Sequence, residues 1–93
     1  GGEEFALILP ETGLESALNL TERIRQEIAD KIFIANGNKI QFTASFGVST
    51  YDPNLTDIEA TTDLMVHLAD KLLYMCKNEG RNKVKGAELK QIT

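Results

Sequence analysis

Among its 93 residues the chain has one cysteine, one histidine, two prolines and no tryptophan. A single cysteine excludes an internal disulfide and a cysteine-based zinc site. No apolar run approaches the roughly 18 residues that a membrane-spanning helix needs. There is no leader-type segment either, so the expected compartment is the cytoplasm, without direct membrane contact; a longer parent protein anchored elsewhere in its chain stays compatible with this. Positive charge is also scarce. Ten Lys and Arg face fourteen Asp and Glu, for a net charge of −4. That balance disfavours attraction to nucleic acid or to an anionic membrane, and no nucleic-acid partner is expected. Any phosphate bound here must be met by a few placed cations or by a metal ion. What remains is ordinary for one small folded domain: 42% apolar and 26% charged residues.

The apolar pattern divides the chain into elements. Residues 4–9 form a continuous apolar run ended by Pro10, which predicts a short strand buried on both faces. Thr12, with Glu15 three residues on, has the spacing of a capping box. A helix over 14–31 comes next, with Leu14, Ala17, Leu18, Thr21, Ile24, Ile28 and Ile32 on one stripe. Ile32–Ala35 reads as a brief extended segment, and Asn36-Gly37 as a hairpin turn. From 39 to 50, Ile40, Phe42, Ala44, Phe46 and Val48 alternate with polar or small residues, the period of one long strand. Asp52-Pro53-Asn54 ends it, and a polar loop through Thr61 leads to a second helix over 62–78. The apolar side of that helix is Leu64, Met65, Leu68, Ala69, Leu72, Leu73 and Cys76. Gly80 suits a left-handed helix stop, Arg81–Lys85 a short edge strand, and 86–93 a frayed tail.

The order strand, helix, hairpin or long strand, helix, short strand predicts an α/β or α+β fold with helices on one face of a mixed sheet. Such a sheet is thin for its apolar content. The chain starts directly on Gly1-Gly2-Glu3-Glu4 before a buried-type strand, and so reads like a piece of something longer.

Two groups of residues could carry chemistry. Gly1-Gly2-Glu3-Glu4 is a tight turn running into two carboxylates. Alternation along a strand sends Glu3 and Glu4 to opposite sides. The turn could present one carboxylate to a divalent cation, with the glycines leaving room for a ligand; it equally describes a polar hairpin end. Lys77 and Arg81, either side of the helix stop at Gly80, could meet one anionic group. They equally describe cations placed at a helix C-terminus to complement its dipole. His67 falls on the polar side of the second helix and reads as a surface residue, Cys76 as an inert core residue, and Tyr74 as a packing residue with a wet hydroxyl. Val66, Leu68 and Met75 read as partly buried rather than as an interaction patch. Asn19-Leu20-Thr21 and Asn54-Leu55-Thr56 match the glycosylation triplet by chance.

Taken together, the blocks resemble the GGDEF family of diguanylate cyclases. Gly1-Gly2-Glu3-Glu4-Phe5 is the GGEEF form of its signature, and the run Phe5 to Thr12 is typical of the segment directly after that signature. Glu22-Arg23-Ile24-Arg25 resembles the family's middle helix. Phe42 to Ser49 resembles its T-x-S-[IF]-G-V strand, and Ala69 to Asn82 its closing A-D-x-A-L-Y-x-A-K-x-x-G-R-N element, with Leu72 and Cys76 in place of two small residues. The four blocks cover nearly all of residues 1–84.

The resemblance implies a palm-type, ferredoxin-like nucleotide cyclase fold, here incomplete: residues 1–85 as the C-terminal half of a GGDEF domain and 86–93 as a tail. It implies condensation of two GTP molecules into cyclic di-GMP with release of pyrophosphate, dependent on Mg²⁺ or Mn²⁺. Glu3 would be a metal ligand and the candidate base for the attacking 3′-hydroxyl, and Glu4 would contribute to the metal site or orient its neighbours. Gly1 and Gly2 would let the nucleotide approach the backbone, while Lys77 and Arg81 would meet the phosphates. The implied partners are a second copy of the domain, since one domain holds one GTP, together with the upstream half-domain and a regulatory sensory domain. The upstream half would carry the metal-binding Asp, the guanine-reading segment and an RxxD inhibitory motif, so these 93 residues alone are expected to be inactive. Strand 4–9 is expected to lack a partner and to favour oligomerisation or strand exchange. The alternative is a degenerate module that binds GTP or cyclic di-GMP as a sensor, or relays dimerisation; such modules usually lose the signature acid, which Glu3 retains.

Overall fold

A computed structural model of the chain describes residues 2–52 and 58–89. Its elements are β1 (Gly2–Pro10), α1 (Leu14–Asp30), β2 (Phe33–Ala35), β3 (Asn38–Ile40), β4 (Thr43–Tyr51), α2 (Ile58–Asn78) and β5 (Val84–Glu88). The fold is α+β, as expected. β1, β4 and β5 form one sheet in the order β1-β4-β5, and both pairings are parallel. The antiparallel part is confined to a separate hairpin of β2 and β3.

β4 is the centre of the molecule. Residues 44–50 are all buried, because the two faces of the strand are covered by different helices. Val48 and its register partner Gly86 lie on one face, where a Cβ on Gly86 would stand 2.6 Å from Leu18 of α1. Ala44, Phe46 and Val48 pack there with Ala17, and Leu7, Leu9, Ile28 and Val84 border them. Gly47 looks the other way: a Cβ there would lie 2.2 Å from the Ala69 carbonyl oxygen of α2. The Ser49 hydroxyl, on the same face, donates to the Met65 carbonyl at 2.9 Å. The helices therefore sit on opposite faces, not on one. Alternation along residues 39–50 marks a strand correctly but does not reveal that its polar members, Ser45 and Ser49, are as buried as Phe46.

Other expectations change with this arrangement. The long strand is broken at residues 41–42, where the chain leaves the hairpin and enters β4. The hairpin turn itself is as read, with Asn36 and Gly37 at φ 52° and 80°, the pair of left-handed residues a type I′ turn requires. β1 is not buried on both faces. It lies at the sheet edge, leaving Phe5 and Ile8 exposed, although Phe5 stacks on Phe46 at 5.2 Å between ring centroids. Nor does β1 lack a partner, since nine of its residues pair with β4; its outer edge, like that of β5, is unpaired among the described residues. The N-cap of α1 is Gly13, with no side-chain cap, and the Thr12 hydroxyl turns back to the Pro10 carbonyl instead. α2 starts at Ile58 rather than 62, and β5 runs through Glu88, three residues into the expected tail. Residues 53–57, within the expected polar loop, and 90–93, within the expected tail, lie outside the described residues.

On α2, Met65, Ala69, Leu72 and Cys76 are buried as expected. Leu64 is exposed, and so are Val66 and Met75; Tyr74, at 64% exposure, is a surface residue rather than a packing one. His67 is exposed. No helix among the described residues is long and apolar enough to cross a membrane.

Candidate functional site

Parallel pairing brings the starts of all three strands to one end of the sheet. Gly2 pairs with Thr43, Glu3 with Ala44 and Glu4 with Ser45. The connection from α2 into β5 closes at the same end, where the Phe46 amide donates to the Lys83 carbonyl at 2.9 Å. Glu3 and Glu4 therefore share this end with the C-terminus of α2. Gly1 lies outside the described residues.

Within the end, the two carboxylates separate. Glu3 lies on the Ala44 face, which α1 covers, and Glu4 on the Ser45 face, which α2 covers. Lys77, in the last turn of α2, reaches Glu4 with its Nζ 3.0 Å from Oε1. One of the two acids and one of the two cations are thus brought together. No group of three or more His, Cys, Asp or Glu side chains able to hold a metal ion occurs among the described residues.

Arg81 is held by its backbone. The Gly80 amide donates to the Lys77 carbonyl at 3.4 Å and the Arg81 amide to the Cys76 carbonyl at 2.8 Å, the paired bonds of a Schellman stop. Gly80 takes φ 105° there, the position that favours glycine. Arg81 and Asn82 continue in the left-handed region at φ 62° and 50°, which is uncommon for side chains with a Cβ. The Asn82 amide donates to Ser45 Oγ at 2.9 Å, and its side-chain Oδ1 accepts from Arg25 Nη1 at 2.7 Å. Arg25 also clasps both Glu22 carboxylate oxygens through Nε at 2.9 and 3.0 Å. Those bonds from Arg25 hold the Glu22 carboxyl below the usual carboxylate range, and they raise Arg25 itself. Cys76 is buried beneath this loop, and burial pushes its thiol up.

Sequence reasoning alone misses Ser45, Arg25 and Asn82 as residues of this end of the sheet. A signal for Arg25 is present: it falls between Thr21 and Ile28 at the spacing of the apolar stripe, where a charged residue needs a partner.

Residues 1–83 match the family described as "Diguanylate cyclase, GGDEF domain". The chain belongs to the GGDEF domain family. Its relatives include "Diguanylate cyclase A" of Treponema denticola, 42% identical over 84 residues, which are 90% of this chain and 22% of that protein. "Diguanylate cyclase DgcM" of Escherichia coli K12 is 41% identical over 87 residues, 94% of this chain and 19% of the relative. "Uncharacterized protein YhcK" of Bacillus subtilis is 40% identical over 92 residues, 98% and 24% respectively. This GGDEF chain thus spans about a quarter or less of the length of these relatives. No solved structure matches it.

Proposed function

We propose that the whole protein to which this GGDEF chain belongs condenses two GTP molecules into cyclic di-GMP. In each half-reaction a 3′-hydroxyl oxygen bonds to the α-phosphorus of the facing nucleotide, the bond to pyrophosphate breaks, and the hydroxyl proton passes to Glu3. Lys77 and Arg81 hold the phosphates and offset the charge that gathers on the leaving pyrophosphate. Gly1 and Gly2, lacking side chains, admit the nucleotide to the backbone. Ring closure needs two such domains face to face, hence a homodimer.

The observation that carries this reading is the convergence of Glu3, Glu4 and Lys77 with the Arg81 turn at one end of the sheet. An acidic chain binds a nucleotide through a few cations or a metal ion, and Lys77 and the backbone of Arg81 both lie at this end of the sheet. Mg²⁺ or Mn²⁺ is the ion that carboxylates and phosphates together would hold. The described residues do not form a site for it by themselves, since Glu3 and Glu4 lie on opposite faces and no third ligand stands beside either. Glu3 is therefore assigned as one ligand of a site that further acids of the whole domain must complete, and Glu4, on the other face and paired with Lys77, as a residue that orients its neighbours. The 93 residues alone make no product.

The test is cyclic di-GMP formation from GTP and Mg²⁺ by the full-length protein and by its Glu3→Ala variant. Product from the first and none from the second is expected. A folded dimer that binds GTP or cyclic di-GMP but makes no product would replace the cyclase reading with that of a nucleotide-sensing module. Product from residues 1–93 in isolation would overturn the claim that the segment is incomplete.

A further inference from the structure

We propose that Arg25 is a positioning residue for Arg81: by gripping Asn82 it holds the left-handed turn that carries Arg81. This rests on the assignment of Arg81 to the substrate phosphates. Arg25 belongs to α1 and Asn82 to the loop between α2 and β5, 57 residues apart, and the two helices cover opposite faces of the sheet. The bond from Arg25 Nη1 to Asn82 Oδ1 at 2.7 Å is thus a strap from one layer to the other around the end of β5.

The strap is built rather than incidental. The Arg25 side chain is only 15% exposed, and Glu22 takes the rest of its fork through Nε and Nη2. A guanidinium fixed on two sides loses little further freedom in forming the Asn82 bond. At the other end, Asn82 is pinned a second time, its amide donating to the Oγ of buried Ser45. Between these anchors and the Cys76 carbonyl that accepts its own amide, Arg81 is kept at φ 62°. A non-glycine residue persists in that region where its surroundings over-determine it. The Arg81 guanidinium makes no hydrogen bond or ion pair among the described residues. The geometry therefore fixes the backbone of Arg81 and leaves its cationic head available to an incoming anion.

The test uses the full-length protein, with KM and kcat for GTP and the affinity for a non-hydrolysable GTP analogue as readouts. Arg25→Ala is expected to raise KM and weaken analogue binding about tenfold, the scale of one hydrogen bond to a charged group, with kcat little changed. Arg25→Lys, which lacks the fork, is expected not to restore it. Asn82→Gly keeps the left-handed backbone and removes the acceptor, and is expected to raise KM in the same way. The deciding measurement is the cycle with Arg81→Ala: if Arg25 acts through Arg81, adding Arg25→Ala to Arg81→Ala weakens binding no further. Full additivity, or a loss of thermal stability with KM unchanged, overturns the positioning role and leaves the assignment of Arg81 intact. An unchanged KM in Arg81→Ala alone overturns that assignment and the positioning role with it. Should Arg25→Ala not fold, Asn82→Gly completes the same cycle.

Discussion

Lys77 Nζ stands 3.0 Å from Glu4 Oε1, bridging the last turn of α2 and the first residues of β1. Both side chains stay more than a third exposed, at 40% and 36%, so water and salt screen the attraction. An exposed pair of this kind contributes about 0.2–1 kcal/mol. Function and stability should therefore separate at this pair. Lys77→Ala is expected to lower the stability of the whole domain by less than about 1 kcal/mol, measured by urea unfolding. The same change is expected to raise KM for GTP about tenfold, as loss of a charge-assisted contact would. A large stability loss with unchanged KM would make Lys77 a structural residue.

Gly47 is where α2 comes closest to the sheet. A Cβ there would lie 2.2 Å from the Ala69 carbonyl oxygen and 2.7 Å from the Leu73 amide nitrogen. Both are backbone atoms, so no side-chain rotation relieves the clash and the helix itself must move. Gly47→Ala is expected to cost at least 1–3 kcal/mol, roughly the range of overpacked cores, seen as a lower denaturation midpoint. An unchanged midpoint would mean that α2 does not pack on β4 as described.

Thr50 offers the opposite case. Its hydroxyl oxygen is buried with no hydrogen-bond partner among the described residues, so the folded state carries a desolvated polar group for no return. Thr50→Val keeps the branched shape and replaces the hydroxyl by a methyl. It is expected to raise stability by roughly 1 kcal/mol, the lower end of the penalty for an unsatisfied buried group, in the same unfolding measurement. A loss of stability would show that the hydroxyl is satisfied in the whole protein.

Legibility in the sequence tracks the range of the physics. α1, the Asn36-Gly37 turn and the Gly80 stop are readable because each depends on neighbours within a few residues: an apolar stripe, two left-handed positions, a glycine where a Cβ is disfavoured. The opposite-face placement of Glu3 and Glu4 is readable for the same reason, since alternation along a strand is local. What depends on tertiary partners is not. Nothing in residues 4–9 tells an edge strand from a central one, and a run of five apolar residues suits either. Ser45 and Ser49 look like solvent-facing members of an alternating strand, yet α2 buries both and supplies Met65 as an acceptor for one of them. The pairing of Lys77 with Glu4 joins residues from opposite ends of the chain, and only the parallel register of β1 with β4 brings them together.

The strap through Arg25 should leave a mark in the acid limb of stability. Hydrogen bonds from Arg25 hold Glu22 below the usual carboxylate range. A carboxyl with a depressed folded-state pKa adds stability above its unfolded pKa, and that contribution drains away as pH falls through the folded value. The difference in stability between the unmodified domain and Glu22→Gln is therefore expected to be flat near neutral pH. It should shrink below the usual carboxylate range and vanish once Glu22 is protonated in the folded state as well. Glu22 is half-exposed, so the effect should be modest and should weaken further in high salt. Urea midpoints of both proteins across the acid range measure it. A difference that grows on acidification would reverse the sign and show that Glu22 is not paired with Arg25 in solution.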